Sequence, residues 1–555
     1  MVSIFIDYKL QRFQREIKYA FSFILQSLGY SFSFITDTGQ LKPNDILVVY
    51  GYTDPTVEEL KSLARKYITI FIQSDPDLFD PKAYNPEKLR RCIREIKLLS
   101  TTPVISVRKF DYPAENYSES ELHAGKINFD LVGNVFFHLA AMEEQIDRHN
   151  LDNGYYKESA SAFYNYRETA YVDNMLWLLD SMIKEHTRAK GLYIVQKHFW
   201  PEGQQAAVTL SHSVDDLRKW DLSSMILSVA DDFIMLITFK WRQLIHAVTG
   251  KFRYLFTNYE LYWNFEEFRF LERDSNCRST FFIAAESCED IDYALDDTDL
   301  QEEIQHILRS GNDIGLLATA DKLNRDDFVT RKQIMLHQLH KEQIGIRQYG
   351  YKVNDTIRDL LNKTAPSYNQ STSYQEVPGF KHGFSIPWHP WIASMKASYM
   401  DLPTVYRDRY LYVNKHKILQ LDDAKHQIKK FFQNSLRTRG IFGIDFSIAS
   451  YADIHYCNKL YAYILALVKS SSTWVATAQE VASWWEKRAR VTIDEGDYEI
   501  SVYFPDDLEH MVLQVFNDAK LVDIDGVPAK IDGNLIKFAN VKAGSIAVIR
   551  LNPNS

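Results

Sequence analysis

Alternating helical and strand-like patterns open the chain. The stretch 11–30 has apolar residues at helical spacing and ends near Gly29, and short β-branched runs follow at 46–51 and 68–74. Strands that alternate with helices favour an α/β unit. The pattern predicts an N-terminal α/β domain over residues 1–125.

A helical connector is predicted over residues 126–200. The stretches 127–150 and 168–191 carry apolar residues at helical spacing, and the polar stretch 151–166 between them is typical of a loop. Gly191 is expected to end the second helix.

A barrel is predicted over residues 201–490, because apolar strands and helices alternate there. The strand-like runs include 206–213, 279–286, 312–319 and 344–351. Repeated strand–helix units favour a parallel sheet or a β/α barrel. Short runs separated by Gly and Asp follow, and they predict a small sandwich-like β module over residues 491–555.

An insertion of about 217–275 interrupts the predicted barrel. Its most apolar part, 226–250, contains Asp231, Asp232, Lys240 and Arg242, so it lacks the roughly 18 uncharged apolar residues of a membrane span. An amphipathic helix that packs on the protein is favoured there over a helix on a membrane surface. The aromatic content of the insertion makes an oligomer interface an alternative.

Composition and charge narrow the class of protein. The chain has 555 residues, a formal net charge of −9 and a pI near 6.0, which argues against a general nucleic-acid or anionic-membrane binder. The four cysteines are widely spaced, so neither a zinc–thiolate site nor a disulfide framework is expected. The charged N-terminus lacks the apolar core of a signal peptide, and a cytoplasmic location is expected.

The stretch 208–221 carries the clearest chemical signal. An apolar run leads into His212, Asp215 and Asp216 within five residues. One interpretation is a metal-dependent site or its remnant. The alternative is that Asp215 accepts backbone hydrogen bonds at the end of a strand and Asp216 caps the helix that follows.

Several motifs in a shared order resemble those of the polysaccharide deacetylases, the NodB-homology or carbohydrate esterase family 4-like proteins. They are 129-FDLVGNVFFHLAAMEEQIDRHNLDNGYY-156, 210-LSHSVD-215, Thr280-Phe281-Phe282, 311-GNDIGLLAT-319, 345-GIRQYGY-351 and 477-TAQEVASWWEKR-488. The resemblance covers residues 1 to about 491, and it is closest to the bacterial branch with an N-terminal α/β extension. It implies a distorted (β/α) barrel of NodB type, with its chemistry at the C-terminal ends of the strands.

The resemblance implies a hydrolase that removes acetyl groups from N-acetylated amino sugars. In that family an Asp and two His hold a divalent metal, usually zinc, which polarises the acetamide carbonyl and activates a water. A neighbouring Asp takes the proton of that water, and a later His protonates the leaving amine.

This sequence departs from the family pattern at three positions. Ser213 replaces the Asp that acts as base, Leu317 replaces a metal-binding His, and the motif that includes Gly350 lacks a further His. The late His has no clear counterpart, although His455 lies in the matching region. A zinc site needs about three protein ligands. We therefore expect no resident cofactor and an impaired enzyme, with zinc or another divalent metal bound through Asp215 if the protein is active.

Residual chemistry is assigned to Asp215 and His212. Arg347 is a candidate substrate-binding residue, because a guanidinium suits a carboxylate or an acidic sugar. In the plainer interpretation His212 is a satisfied residue at a strand end, and Arg347 pairs with Asp313 or another structural acid.

Aromatic residues in a loop supply further candidates for substrate binding. Trp388 and Trp391 flank His389, and aromatic rings on a loop near a barrel mouth suit stacking on sugars. The alternative, packing on the barrel rim, is favoured. Trp484 and Trp485 are expected to pack in the core.

The sequence as a whole predicts a deacetylase-like pseudoenzyme that binds a glycan or a partner protein of a bacterial surface-polysaccharide pathway. One alternative is an active metal-dependent de-N-acetylase with a rebuilt site, in which Asp215, His212 and either His382 or His389 are ligands. Another is an assembly or membrane-surface role for the insertion at 217–275.

Overall fold

The structure is a computed structural model of the 555-residue chain. It describes all residues except 43, 52–57, 118–122, 153, 219–236, 238–260, 320–324, 415–416, 497–498, 517–520 and 552–555. Among the described helices, none combines the length and the apolar character that a membrane span requires.

A mostly parallel sheet forms the N-terminal domain. In sheet order its strands are Phe32–Ile35, Val2–Ile6, Ile46–Tyr50, Ile68–Ile72, Ala124–Ile127 and the antiparallel edge strand Ala114–Asn116. The strands Ile46–Tyr50 and Ile68–Ile72 are buried at every residue, as expected for parallel strands that are covered on both faces. The domain also contains the helices Gln14–Leu28, Glu58–Lys66 and Pro86–Cys92 and the hairpin Ile93–Lys97 with Thr101–Ile105.

The connector holds three α-helices, a short hairpin of Leu151–Asp152 with Tyr155–Tyr156, and a further strand. The sequence pattern did not predict these strands. The helices are Leu131–Leu139, Met142–Ile146 and Tyr171–Ala189. The strand Ile194–Lys197 pairs antiparallel with Val512–Phe516. Because the partner strand lies far along the chain, a local pattern carries no sign of this pairing.

Parallel strands make up the barrel. A short strand, Thr473–Val475, pairs with Ala206–Val214 outside the main order of the sheet. In sheet order the other strands are Met400–Pro403, Tyr368–Thr372, Ile346–Gln348, Asp313–Ala318, Ser279–Ile283, Ala206–Val214, Ile441–Asp445 and Tyr406–Arg407. The first and last of these are consecutive in the chain, so one bent segment pairs with both edges and closes the sheet. The surrounding helices are Phe265–Asp274, Thr298–Arg309, Arg325–Leu339, Asp355–Thr364, Leu421–Thr438, Ser450–Asp453, Cys457–Lys469 and Ala478–Arg490.

Only the end of the predicted insertion falls within the described residues. The helix Phe265–Asp274 packs on the barrel through Phe265 and Phe268, which are both fully buried. The stretch 226–250 lies outside the described residues apart from residue 237. Its predicted amphipathic helix and the predicted oligomer interface therefore stay predictions.

The C-terminal module consists mainly of two antiparallel sheets. One contains Thr492–Glu495, Glu499–Phe504, Ser545–Leu551 and Leu521–Asp525, and the other contains Ile194–Lys197, Val512–Phe516, Leu535–Phe538 and Ala529–Asp532. Alternate residues of Glu499–Phe504 are buried, which is the pattern of a strand with one face on a core.

Arg488 joins three parts of the chain. Its side chain is 1% exposed, and it donates hydrogen bonds to the carbonyl oxygens of Gln26, Ser27, Lys197 and His198 at 2.5–3.1 Å. These carbonyls belong to the end of a helix in the N-terminal domain and to the connector strand. The barrel's last helix is thereby fixed to both.

The close packing around Arg488 explains why Gly29 stands at the end of the helix Gln14–Leu28. Gly29 has φ +86°, and a Cβ there would lie 2.3 Å from the carbonyl oxygen of Lys197 and 2.8 Å from Nη2 of Arg488. On the other side, the guanidinium carbon lies 4.8 Å from the ring of Trp485. Trp484 and Trp485 are 6% and 7% exposed, so they pack in the core as predicted.

The Arg488→Gln substitution should destabilise the protein strongly. It leaves several buried carbonyl oxygens without donors, which we expect to lower the free energy of unfolding by about 3 kcal/mol. Denaturant unfolding of the full chain measures the effect. The matched control is Arg490→Gln, since Arg490 lies on the same helix with a side chain that is 57% exposed. Equal losses in both variants would contradict the joining role.

Candidate functional site

Strand register defines which side chains face the barrel interior. Ser213 pairs with Phe282, Phe282 with Gly315, and Leu317 with Arg347. Partners in register lie on the same face of a sheet, and successive residues alternate between faces. The interior-facing residues are therefore Ser211, Ser213, Phe282, Gly315, Leu317, Arg347, Arg407 and Asp445. His212 faces the opposite way.

A buried ion pair occupies the centre of the barrel. Arg347 Nη1 lies 2.5 Å from Asp445 Oδ1, and the two side chains are 0% and 3% exposed. Arg347 Nη2 donates to the hydroxyl of Ser211 at 2.7 Å, and the hydroxyl of Ser213 donates to Asp445 Oδ2 at 3.0 Å. The guanidinium carbon also lies 4.0 Å from the centre of the Phe282 ring. This network satisfies both charges with several polar partners, as a buried ion pair requires.

The network changes the interpretation of Arg347. Its acidic partner is Asp445, whereas Asp313 pairs with Lys341. The Arg347 guanidinium is fully buried, and its charge is already paired with Asp445 inside the barrel. The structure thus favours the structural interpretation of Arg347 over the predicted contact with a substrate.

The degenerate motif positions supply no zinc site. Leu317 is 2% exposed and faces the interior, the Ser213 hydroxyl is bonded to Asp445, and Gly350 occupies a turn with φ +62°. Within the part of the chain that the structure describes, no group of three or more His, Cys, Asp or Glu side chains is placed to hold a metal ion. The donors that are present do not fit the three-ligand zinc site of the resemblance.

His212 lies outside the barrel mouth. Its Nε2 is 2.9 Å from Glu272 Oε1, and its Nδ1 is 2.8 Å from the carbonyl oxygen of Phe446. Tyr461 donates its hydroxyl to the same carboxylate oxygen at 2.6 Å. The ring is fully buried between the sheet and the helices outside it. This placement is contrary to the expected residual catalytic role and agrees with the alternative of a satisfied structural histidine.

The aromatic residues Trp388 and Trp391 lie at the end of the barrel opposite the mouth, where the parallel strands begin. The backbone of Trp388 pairs with Asp401, near the N-terminal end of the strand Met400–Pro403. Its ring is 3% exposed and stacks on Phe384 at 4.9 Å. Because the Trp388 ring is buried and lies far from the mouth, its position is contrary to the predicted stacking on a sugar. It agrees with the alternative that Trp388 packs against the protein.

Trp391 and His389 connect this loop to the N-terminal domain. The ring of Trp391 lies 4.8 Å from Tyr19 and 5.7 Å from Phe136. His389 Nδ1 lies 2.8 Å from the carbonyl oxygen of Tyr399, and its own carbonyl accepts the hydroxyl of Tyr19. The loop is rich in aromatic residues because it packs against the N-terminal domain and the connector through these contacts.

The histidines of the rebuilt-site alternative do not meet. His382 lies 3.9 Å from Glu144 and lines a small cavity of about 40 Å³ together with His138, between the connector and the barrel. His389 is held by the loop, and His212 faces outward. His455 is exposed next to Tyr456. The proposed ligands of an active metal site are therefore dispersed.

Asp215 and Asp216 lie at the mouth, as the resemblance expects. Asp215 Oδ1 accepts the backbone N–H of Asp216 at 3.2 Å, which matches the backbone-bonding alternative for Asp215. Burial raises the pKa of Asp215 to about 8, and the charges of Asp216, Asp408 and Asp445 add to the effect. Burial also raises the pKa of Asp216 to about 6, together with neighbouring aspartates.

Asp408 is a mouth residue that the motifs did not identify. Its Oδ2 accepts the N–H and the hydroxyl of Ser447, both at 2.8 Å. Burial raises its pKa, and Asp445 adds to the effect. Asp408 follows the short strand Tyr406–Arg407, whose two residues give too weak a periodic signal to mark a strand end.

Two tyrosines complete the mouth. Burial raises the pKa of Tyr349 to about 12, with added effects from Asp215, Asp290 and Asp216. Tyr351 is 2% exposed, and its ring lies 3.8 Å from the guanidinium carbon of Arg407. The mouth therefore offers carboxyl groups, hydroxyl groups and aromatic surface.

Comparisons with known proteins give one partial family match and several distant structural matches. Residues 6–188 match the sequence profile of a family described only as a family of unknown function, DUF7033. No curated protein matches the chain. Agd3, a novel carbohydrate deacetylase, is 10% identical, with 99% of this chain and 98% of that chain covered and a TM-score of 0.36.

Two further solved structures are similar over about half of the chain. A protein described as a polysaccharide deacetylase from Mycobacterium smegmatis is 16% identical, with 51% of this chain and 91% of that chain covered and a TM-score of 0.35. A mutant of a carbohydrate esterase family 4 pseudoenzyme with restored activity is 9% identical, with 50% and 67% covered and a TM-score of 0.24. Identities and TM-scores this low carry no argument about the fold or the activity of this chain.

Breaking the central ion pair should be costly. The Arg347→Met substitution leaves Asp445 buried and unpaired, which we expect to lower the free energy of unfolding by about 3–5 kcal/mol at neutral pH. Denaturant unfolding measures the loss. The double variant Arg347→Met with Asp445→Leu should recover most of it, because no buried charge then remains. A double variant as unstable as the single one would contradict this account.

The carboxyl group of Asp215 should make stability depend on pH. Its pKa of about 8 in the folded protein lies above the ordinary value, so between about pH 4 and pH 8 the folded state holds a proton that the unfolded state has lost. Stability from this group is present at low pH and falls as pH rises. Asp215→Asn should reduce the fall between about pH 5 and pH 8 by roughly 2 kcal/mol.

Unfolding curves at several pH values measure this dependence. The control is Asp37→Asn, an exposed aspartate in the N-terminal domain, which should leave the dependence unchanged. An unchanged slope in Asp215→Asn would show that Asp215 ionises normally in the folded protein.

Proposed function

We propose that this chain is a polysaccharide deacetylase-like pseudoenzyme that binds a glycan at the barrel mouth without hydrolysing it. The observation that carries the proposal is the ion pair between Arg347 and Asp445, which joins Ser211 and Ser213 in one buried network. The family's reactive groups belong on this part of the first strand, and here its side chains are used for structure.

Hydrolysis of an acetamide needs an activated water and a stabilised oxyanion. Ser213 has no carboxylate to act as base, and Leu317 has no donor atom for a metal. Among the described residues, the mouth therefore lacks the base and one of the metal ligands that the resemblance assigns to the reaction. The active metal-dependent alternative has no specific observation in its favour, since its histidines are dispersed.

Binding of a glycan is supported by the groups that remain at the mouth. Asp215 and Asp216 offer carboxyl oxygens, and Tyr349 offers a ring and a hydroxyl. Carboxyl groups accept hydrogen bonds from sugar hydroxyls, and tyrosine combines an apolar face with a polar tip. The setting is the one that the sequence predicts, a surface-polysaccharide pathway in the cytoplasm of a bacterium. A protein partner of that pathway is the remaining alternative.

Purified full-length protein tests both halves of the proposal. After incubation with zinc and dialysis, we expect metal well below one equivalent per chain, and no acetate released from a tetramer of N-acetylglucosamine. Calorimetric titration should show binding of that tetramer or of the glucosamine tetramer, and Tyr349→Ala should weaken it roughly tenfold through lost ring contact. Asp37→Asn serves as the binding control.

Two results would overturn the proposal. Near one equivalent of metal with steady acetate release would establish an active deacetylase. Absence of binding for both tetramers would remove the glycan-binding half, because the two probes cover both chemical forms of the amino sugar.

A further inference from the structure

The small cavity between the connector and the barrel is lined by acidic, aromatic and imidazole side chains. Its lining includes His138, Glu143 and Tyr171 of the connector and Tyr374 and His382 of the barrel. The cavity has a volume of about 40 Å³, which is enough for about three water molecules or for a ligand group of similar size. The proposed function makes no use of these residues.

The charged groups of the cavity leave one carboxyl group without a cation. Glu143, Glu144 and Glu158 all line the cavity. Glu144 Oε2 lies 2.7 Å from Nη2 of Arg358, and Glu158 Oε1 lies 3.2 Å from Nζ of Lys381. In the described part of the chain, no Lys, Arg or His side chain lies within ion-pair distance of Glu143. The cavity therefore lacks one positive charge.

Neutral groups hold the Glu143 side chain in place. Its two carboxyl oxygens accept the hydroxyl of Ser161 and the backbone N–H of Ala162, both at 2.6 Å. Burial raises the pKa of Glu143 to about 7, so the group is mostly ionised at pH 8. The neighbouring imidazoles supply no charge there, because burial lowers the pKa of His382 and lowers that of His138 to about 3. A nearby cation would favour the ionised carboxylate.

Three buried polar groups of the cavity lining have no hydrogen-bond partner. His138 is 5% exposed, and its Nε2 atom is unpartnered. Tyr171 and Tyr374 are 1% and 5% exposed, and within the described residues their hydroxyl groups form no hydrogen bond. The charge of Glu143 acts on both tyrosines, so their hydroxyl groups lie near its carboxyl group. Buried polar groups in native proteins are usually satisfied by a partner, and this cluster therefore points to a polar ligand.

We infer that this cavity binds a primary ammonium group. Such a group supplies the missing positive charge and three N–H donors. Its acceptors are the carboxylate of Glu143, the Nε2 atom of His138 and the hydroxyl oxygens of Tyr171 and Tyr374. The ring of Phe163 lies 5.7 Å from that of Tyr171 and nearly parallel to it, and aromatic faces attract cations. A neutral ligand would leave Glu143 without a counter-charge, and an anion would add a like charge. The inference does not depend on glycan binding at the mouth.

The test compares small ligands that differ in charge and in N–H donors. Saturation-transfer NMR of full-length protein with ethylammonium, at pH 8 and constant ionic strength, should give a dissociation constant of about 1–10 mM, since so small a ligand binds weakly. Ethanol has a similar size without the charge, and tetramethylammonium has the charge without the donors. We expect each of them to bind at least about tenfold more weakly, because each lacks the charge-assisted hydrogen bonds.

Variants assign the binding to the cavity. Glu143→Gln keeps an oxygen acceptor and removes the charge, so it should weaken ethylammonium binding about tenfold or more. Tyr171→Phe and Tyr374→Phe should each weaken it severalfold, because each removes one acceptor. The matched control is Glu509→Gln, which makes the same change at an exposed residue of the C-terminal module and should leave the affinity unchanged. Melting temperatures of all the variants verify that they are folded, and the comparison of ligands needs no variant.

Three results would overturn the inference. Absence of saturation transfer to ethylammonium would show that the cavity holds water only. Equal affinity for ethanol or for tetramethylammonium would show that an ammonium group is not what the cavity recognises. Equal losses in Glu143→Gln and Glu509→Gln would place the binding elsewhere on the protein.

A longer amine identifies the source of the ammonium group. Hexylammonium carries the same group at the end of a chain that exceeds the cavity. Tighter binding of hexylammonium than of ethylammonium would support a site for the end of a longer molecule. Weaker binding would support a site for a free small amine. Both results would agree with recognition of a primary ammonium group.

Discussion

The whole chain depends on one buried cation that is held by neutral groups. Arg488 lies at the end of the last barrel helix and donates to carbonyl oxygens of the N-terminal domain and of the connector strand. That strand in turn pairs with Val512–Phe516 of the C-terminal module. One guanidinium thus fixes the barrel, the N-terminal domain and the C-terminal sheet relative to one another, and Gly29 is needed because any larger residue would enter the same space.

A second buried guanidinium decides what the barrel can do. Arg347 and Asp445 form an ion pair inside the barrel, and Ser213, where the resemblance expects a base, donates a hydrogen bond to Asp445. A buried pair is expensive to break, so the charges stay on each other and are withdrawn from chemistry at the mouth. What remains at the rim is a set of aspartates and tyrosines. Carboxyl groups accept hydrogen bonds, and tyrosine hydroxyl groups can donate as well as accept them.

Local sequence patterns predicted much of the fold but only part of the site. The helix Gln14–Leu28 and the strands Ile46–Tyr50 and Ile68–Ile72 lie within the predicted stretches, and the first barrel strand extends one residue beyond its stretch. The predicted mouth residues Asp215 and Asp216 are at the mouth. Arg347 is buried inside the barrel and paired with Asp445, and the loop residues Trp388, His389 and Trp391 lie at the opposite end. A residue type that suits a ligand suits a buried interface equally well. Asp408 and Tyr351 were missed, since a strand of two residues and a turn carry no periodic signal.

The sequence by itself determined which residues stand at the motif positions and several of the strands, because residue identity and apolar spacing are local properties. It placed Ser213 and Leu317 where a base and a metal ligand are expected, and no folding can supply the absent atoms. Only the tertiary structure decided the direction of each side chain and its partners. His212 turns outward to Glu272, and Asp445 meets Arg347 across the barrel. Such pairings join residues about 60 and 98 positions apart, and only closure of the sheet brings them together.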